Sequence, residues 1–117
     1  MRVYVVDVEG EIAGFVAVLP KGFAEEPLLE YICIEENYRD QGLGTRLLTF
    51  FEQRLFPSAD NYYLLVSDIN HKAKALYESL GYVQVGALSN YNLVDQTEYV
   101  MRKTVRPRQE KMANGSK

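Results

Sequence analysis

The stretch Arg39-Asp40-Gln41-Gly42-Leu43-Gly44-Thr45 carries the residue types best suited to holding an anion. The apolar run Leu28 to Ile34 before it reads as a strand. After it, Leu43, Leu47, Leu48, Phe51 and Leu55 recur at helical spacing. First-turn N–H groups of a helix lack intrahelical partners, and the macrodipole is positive at that end. Glycines at such a junction let a ligand approach the backbone and permit unusual dihedrals. Phosphate is the guest this corner suits, and Arg39 adds a fixed charge able to form bidentate bonds. The stretch is neither a Walker P-loop, lacking its Lys-Ser/Thr pair, nor a Gly-x-Gly-x-x-Gly dinucleotide fingerprint. An ordinary strand-to-helix turn uses the same residues, so local chemistry leaves both readings open.

The elements that position this corner follow from patterning. Arg2 to Val8 and Ile12 to Leu19 are β-type runs around Glu9-Gly10-Glu11, which predicts an antiparallel hairpin. Pro20-Lys21-Gly22 to Glu25-Glu26-Pro27 reads as a loop. Leu28 to Ile34 is the third strand, with alternate residues on opposite faces. A helix runs from about Gly42 to Phe56 and stops at Pro57. Tyr62 to Val66 is a short apolar strand. The next helix begins near Asn70, a good N-cap residue, and ends at Gly81, a good C′ residue. Strands follow at Tyr82 to Leu88 and Thr97 to Thr104, joined by a polar loop. One domain is expected over 1–104, with a disordered tail over 105–117.

A net charge of −3 argues against a general nucleic-acid binder, which usually carries a basic excess. The single cysteine, Cys33, excludes an intrachain disulfide, and no metal-type cysteine cluster exists. His71, the one histidine, is expected as an exposed first-turn helix residue, and no metal site is expected. No signal-type N-terminus or membrane-length apolar run is present, so a cytoplasmic location is expected. Cys33, in an apolar strand, is expected in the core.

Arg39-Asp40-Gln41-Gly42-Leu43-Gly44 resembles the Gln/Arg-x-x-Gly-x-Gly/Ala signature of the GCN5-related N-acetyltransferases. Downstream, Asn70-His71-Lys72-Ala73-Lys74-Ala75-Leu76-Tyr77-Glu78-Ser79-Leu80-Gly81-Tyr82 is similar to that family's Asn-x-x-Ala-x-x-x-Tyr-x-x-x-Gly-Phe/Tyr block. The resemblance covers roughly Val3 to Lys103. It implies an α+β fold (α/β class) of the acyl-CoA N-acyltransferase type, a mixed, mostly antiparallel sheet flanked by helices in the order βββαβαββ. It also implies acetyl-CoA as cosubstrate and acetyl transfer to an amine of a small molecule, protein or peptide.

Carried onto this chain, the resemblance places the pantetheine arm along the backbone of Ile32, Cys33 and Ile34, exposed by a splay from the Tyr62–Val66 strand. The pyrophosphate falls on Gln41, Gly42, Leu43, Gly44 and Thr45, beside Arg39. Asp40 departs from the family pattern, whose middle positions are often basic. Asn70 and Ala73 match cofactor-contacting positions, and Tyr77 matches the tyrosine that often protonates the leaving thiolate. A phenol there is a neutral donor at pH 7; core packing is its structural alternative. Glu30 is the candidate base, read as facing with Leu28 and Ile32, and Glu26, Glu35 and Glu36 compete with it. Tyr31, Tyr91, Tyr99 and the loop Asn90-Tyr91-Asn92 are candidates for the acceptor side.

The family normally begins with a further strand and two helices, whereas Met1 falls on what resembles its second strand. A short natural form, a fragment and completion by another subunit all stay open. Apolar surface is then expected beside the first hairpin, covered by a homodimer or another partner. The favoured reading is a direct-attack N-acetyltransferase. A non-catalytic acetyl-CoA-binding sensor or partner module is the alternative, and a ligand-free interaction domain is the third.

Overall fold

The structure, a computed structural model, describes residues 1–106 of the 117. Arg2–Val8 (β1) and Glu11–Phe23 (β2) form the expected antiparallel hairpin. Glu9 and Gly10 form its turn at φ 52° and 84°, the left-handed pair a type I′ turn requires. Asp7 braces the turn, its carboxylate accepting from the Gly10 N–H at 2.8 Å. A second such pair, Ala24 and Glu25 at φ 51° and 65°, joins β2 to Glu26–Ile34 (β3).

This second turn corrects the loop expected over 20–27. Pairing breaks register after Leu19 opposite Leu28 and resumes with Phe23 opposite Glu26. Pro20 and Pro27 sit inside that irregular stretch, where a missing ladder N–H is tolerated. Gly22 fits there because a Cβ would lie only 2.7 Å from the Leu28 Cβ.

The remaining strands are Asn61–Ser67 (β4), Val83–Ser89 (β5) and Thr97–Thr104 (β6). The sheet order is β1-β2-β3-β4-β6-β5, and only the β3–β4 neighbours run parallel. A parallel pair needs a crossover, supplied by Leu43–Thr49 (α1) and the π-helical segment Phe50–Leu55 that continues it. His71–Ser79 (α2) links β4 to β5. The helix read as uniform from Gly42 to Phe56 thus changes pitch midway. In its last turn the Phe56 N–H donates to the Phe51 carbonyl at 3.2 Å. Carbonyls released by the wider winding are met by Tyr62, whose hydroxyl lies 2.9 Å from the Glu52 and 2.6 Å from the Phe56 carbonyl oxygen.

Both helices cover one sheet face. Leu47, Leu48, Phe51 and Tyr77 pack there on Val16, Val18, Leu29, Leu64 and Met101. The other face carries a smaller cluster of Leu28, Tyr63, Leu65 and Val100. Successive residues of β4 serve the two clusters in turn, which is why its sequence is apolar throughout. Further along the helix-free face, Val3, Val5, Phe15 and Tyr31 lie on neighbouring strands and are exposed. Beneath the π-helical segment, Glu52 is buried and accepts from the Tyr82 hydroxyl at 2.8 Å and from Lys103 Nζ at 2.9 Å.

Beyond β6, the Val105 and Arg106 N–H groups donate to the Asp60 carbonyl at 2.8 and 3.2 Å. Arg106 also pairs with the Asp60 carboxylate at 2.9 Å. The first two residues of the expected tail are therefore tied to the chain just before β4. The remainder of that expectation, 107–117, lies outside the described residues.

Candidate active site

Strands β3 and β4 pair only at Leu28–Tyr63 and Leu29–Leu64, while β3 stays paired with β2 as far as Ile34. Past Leu29 the two parallel strands part, and among the described residues the edge of Ile32, Cys33 and Ile34 turned toward α2 has no strand partner. A β-bulge accompanies the parting. Ala17 faces Tyr31 and Val18 faces Leu29, so Glu30 is the extra residue, and bulges of this kind bend a strand and re-aim its side chains. A groove of about 730 Å³ opens between the free edge, the glycine corner and α2.

The corner is built by backbone conformation. Asp40 and Gly42 take left-handed φ values of 62° and 79°, and Gly42 is the N-cap of α1. The first intrahelical bond runs from the Arg46 N–H to the Gly42 carbonyl at 3.1 Å. The N–H groups of Leu43, Gly44 and Thr45 precede it, and all three residues line the groove. Gly44 is confined by its neighbours, since a Cβ would stand 3.3 Å from Leu76 Cδ2 and 3.6 Å from Ile34 Cδ1. Arg39 also lines the groove, with its Nε–H given to the Ile34 carbonyl at 2.9 Å. Its terminal NH₂ groups are the ones left for an anion.

Helix α2 forms the opposite wall. Asn70 caps it, Oδ1 accepting from the Ala73 N–H at 3.2 Å. At the other end Gly81 holds φ 99°. The Gly81 N–H donates to the Glu78 carbonyl at 3.1 Å and the Tyr82 N–H to the Tyr77 carbonyl at 3.0 Å, a Schellman motif. Both ends are therefore fixed as the sequence predicts, and the helix presents Asn70, Ala73 and Tyr77 to the groove. Tyr77 is 5% exposed and belongs to the core cluster as well as to the groove wall. Burial pushes its phenol up to about 12, so at neutral pH it is a proton donor and not a base.

Ile32, Cys33, Ile34, Arg39, Asp40, Gly42, Leu43, Gly44, Thr45, Asn70, Ala73 and Tyr77 thus meet on one groove. Gln41 is turned away, its side-chain amide donating to the Asn37 carbonyl at 3.1 Å. Glu30 is not on the groove either. Leu28 packs in the helix-free cluster and Ile32 against the helix-side core, so the single facing expected for Leu28, Glu30 and Ile32 is corrected by the bulge. Glu30 accepts from the Tyr91 hydroxyl at 3.4 Å, and next to it Tyr31 donates to Asn92 Oδ1 at 3.3 Å. The β5–β6 loop is thereby strapped to β3 just past the splay. The charge of Glu30 is the main cause pushing the Tyr91 phenol up.

Cys33 is exposed, not in the core, because β4 has left its side by that point. Glu26 is drawn off by β4, accepting from the Asn61 backbone and side-chain nitrogens at 2.8 and 3.1 Å. Tyr99 lies under Lys74, whose Nζ is 4.7 Å from the ring centre. Of the carboxylates set against Glu30, Glu36 is the one that lines the groove, and sequence reasoning missed Lys72, Leu76 and Tyr38 there. The helical repeat signals Leu76, one turn from Lys72 and Ala73. A smaller cavity of about 330 Å³ at the start of β4, beside Glu26 and Arg102, shares no residue with the groove.

A family model described as an acetyltransferase (GNAT) domain matches residues 1–84, and the chain belongs to that family. Among solved structures it is similar to Ard1 from Thermoplasma volcanium, at 26% identity and a TM-score of 0.77, over 88% of this chain and 70% of that one. It also resembles the ribosomal-protein-S18-alanine N-acetyltransferase from Escherichia coli, at 24% identity and a TM-score of 0.73, over 91% and 70% of the two chains. An aminoglycoside 6′-N-acetyltransferase solved with coenzyme A matches at 24% identity and a TM-score of 0.71, over 91% and 73%. The six-stranded mixed sheet with its two helices is the fold of these acyltransferases. Among the described residues, no helix is long and apolar enough to cross a membrane.

Proposed function

We propose that this chain is an acetyl-CoA-dependent N-acetyltransferase that acts in the cytoplasm on a primary amine by direct attack. The observation that carries the proposal is the single groove shared by the unpaired edge of β3, the glycine corner and Tyr77. Ile32, Cys33 and Ile34 offer strand-type N–H and C=O groups to the pantetheine amides. The corner N–H groups from Gln41 to Thr45 and the Arg39 guanidinium receive the diphosphate. Asn70 and Ala73 border the arm from α2. Tyr77, a phenol already neutral at physiological pH and kept protonated further into alkali by its burial, donates its proton to the departing sulfur.

Chemically, the amine lone pair forms the new C–N bond as the C–S bond of the thioester breaks. One proton leaves the nitrogen and one reaches the sulfur. We assign the first to Glu30, which the bulge and Tyr91 hold beyond the splay, and the second to Tyr77. Water then carries the proton from Glu30 to the Tyr77 phenolate, which restores both groups. Relatives of this fold are named for an alanine of a ribosomal protein and for aminoglycosides, so the acceptor class runs from small-molecule amines to protein or peptide amines.

The test is release of free CoA thiol from acetyl-CoA on a panel of amines that includes aminoglycosides and alanine-initiated peptides. Turnover above the buffer rate with at least one amine supports the proposal. CoA binding with no turnover on any amine would favour a non-catalytic CoA sensor, a reading to which the Asp40 carboxylate in the corner lends weight.

A further inference from the structure

Asp40 and Lys72 form an ion pair that links the two walls of the groove. Asp40 belongs to the glycine corner and Lys72 to the first turn of α2. Their side chains are 67% and 82% exposed, and pairs so exposed stabilise a fold little. Position gives this one its consequence. Among the described residues that line the groove, the cations are Arg39 and Lys72 and the carboxylates are Asp40 and Glu36. Arg39 has already given its Nε–H to the Ile34 carbonyl, and Lys72 has its ammonium on a carboxylate. A groove that suits phosphates thus has one of its two cations neutralised from within.

We propose that Asp40 is a built-in competitor for the phosphates of coenzyme A, an inference that rests on the acetyl-CoA reading of this groove. On binding, the Lys72 ammonium passes from the Asp40 carboxylate to a phosphate oxygen, and Asp40 turns to solvent. Phosphate wins the exchange because it offers more acceptor oxygens and can carry more charge than a carboxylate. Because one ion pair replaces another, affinity is lower and less salt-dependent than the same corner would give with Lys72 unpaired.

Titration calorimetry with free CoA tests the exchange without requiring turnover. Asp40→Asn removes the charge and keeps a residue that tolerates the left-handed backbone of 62°. It should tighten CoA by about two- to tenfold and make binding more sensitive to added salt. Lys72→Met should weaken CoA, and in that background Asp40→Asn should gain less than about half as many fold. Equal gains in both backgrounds would mean plain repulsion and overturn the exchange. Weaker binding by Asp40→Asn would mean that the pair merely braces the groove, which also overturns it. Wild-type binding with no gain in Asp40→Asn refutes this inference alone. Failure of both proteins to bind CoA refutes the acetyl-CoA reading along with it.

Discussion

The Nε–H of Arg39 lies 2.9 Å from the carbonyl oxygen of Ile34 and donates to it, which ties the glycine corner to the last residue of β3. This bond adds to the backbone bonds from the Tyr38 N–H to the Glu35 carbonyl at 2.9 Å and from the Arg39 N–H to the Glu36 carbonyl at 3.3 Å, which together hold the strand edge and the phosphate corner at their spacing. Arg39→Met removes both this tie and the terminal NH₂ groups. Since bonds to charged groups contribute roughly 1.5–3 kcal/mol, CoA should bind about 10–100-fold more weakly. Melting temperature without ligand should change little, because Arg39 is exposed. Arg39→Lys should fall between, keeping the charge but not the fork. Calorimetry on the three proteins checks the order, and a tight Arg39→Met would remove Arg39 from the phosphate site.

Two glycines of the corner should fail in different ways. Gly42 holds φ 79°, and a Cβ added there would meet nothing within 4 Å, so Gly42→Ala suffers only backbone strain. Stability should fall by about 1–2 kcal/mol, read as a lower denaturant midpoint, with CoA affinity largely kept in the folded fraction. At Gly44 the limit is contact with Leu76 and Ile34, and the carboxylate of Gly44→Glu would face the diphosphate. The thermal shift that CoA confers by mass action should disappear in Gly44→Glu. A full shift in that variant would move the phosphates elsewhere.

Much of this arrangement was legible in the sequence because it depends on local chemistry. Asn70 and Gly81 mark the ends of α2 through bonds confined to one turn, and the corner is named by its own glycines. Other features depend on what packs across the sheet. Pro20, Gly22 and Pro27 read as a loop, yet the strands run on through a break in register. One extra residue at Glu30 reverses the facing of β3 beyond it, and a period of two cannot register an insertion made against β2. The π-helical segment depends on Tyr62 and Glu52 finding distant partners. Lys72 carried no signal apart from its place between Asn70 and Ala73, and its role follows from meeting Asp40.

The buried Glu52 should behave as a stability element, separate from the groove. Its carboxylate holds Tyr82 and Lys103, the latter with side-chain exposures of 29% for Lys103 and 11% for Glu52. Lys103→Met keeps most of the stem and leaves the carboxylate short of its cation. With discounting for partial exposure, the loss should be about 1–3 kcal/mol, or roughly 5–15 °C in Tm. CoA affinity should be unchanged once the protein is folded, because neither residue lines the groove. A CoA defect at full stability would contradict this separation.

Tyr77 joins the core to the chemistry, and its two roles can be separated. Tyr77→Phe keeps the ring packed on the helix-side cluster. Among the described residues no protein group bonds the hydroxyl, so its loss should leave Tm close to wild type and CoA affinity nearly intact. General acid catalysis contributes about 10²–10⁴-fold, and kcat should fall by that order. The pH behaviour gives a second check. Burial raises its pKa from the ordinary tyrosine value of 10.0 to about 12 in the folded protein, so the native state keeps this proton after the unfolded chain has lost it. The stability linked to Tyr77 is fully present below pH 10 and declines between about pH 10 and 12. Tyr77→Phe should flatten part of that alkaline decline; Tyr82, also pushed up by burial, keeps the rest. Because the phenol stays protonated well above neutrality, kcat should show no loss of its acid up to about pH 9. Turnover unaffected by Tyr77→Phe would pass the thiolate proton to water and leave Tyr77 a core residue only.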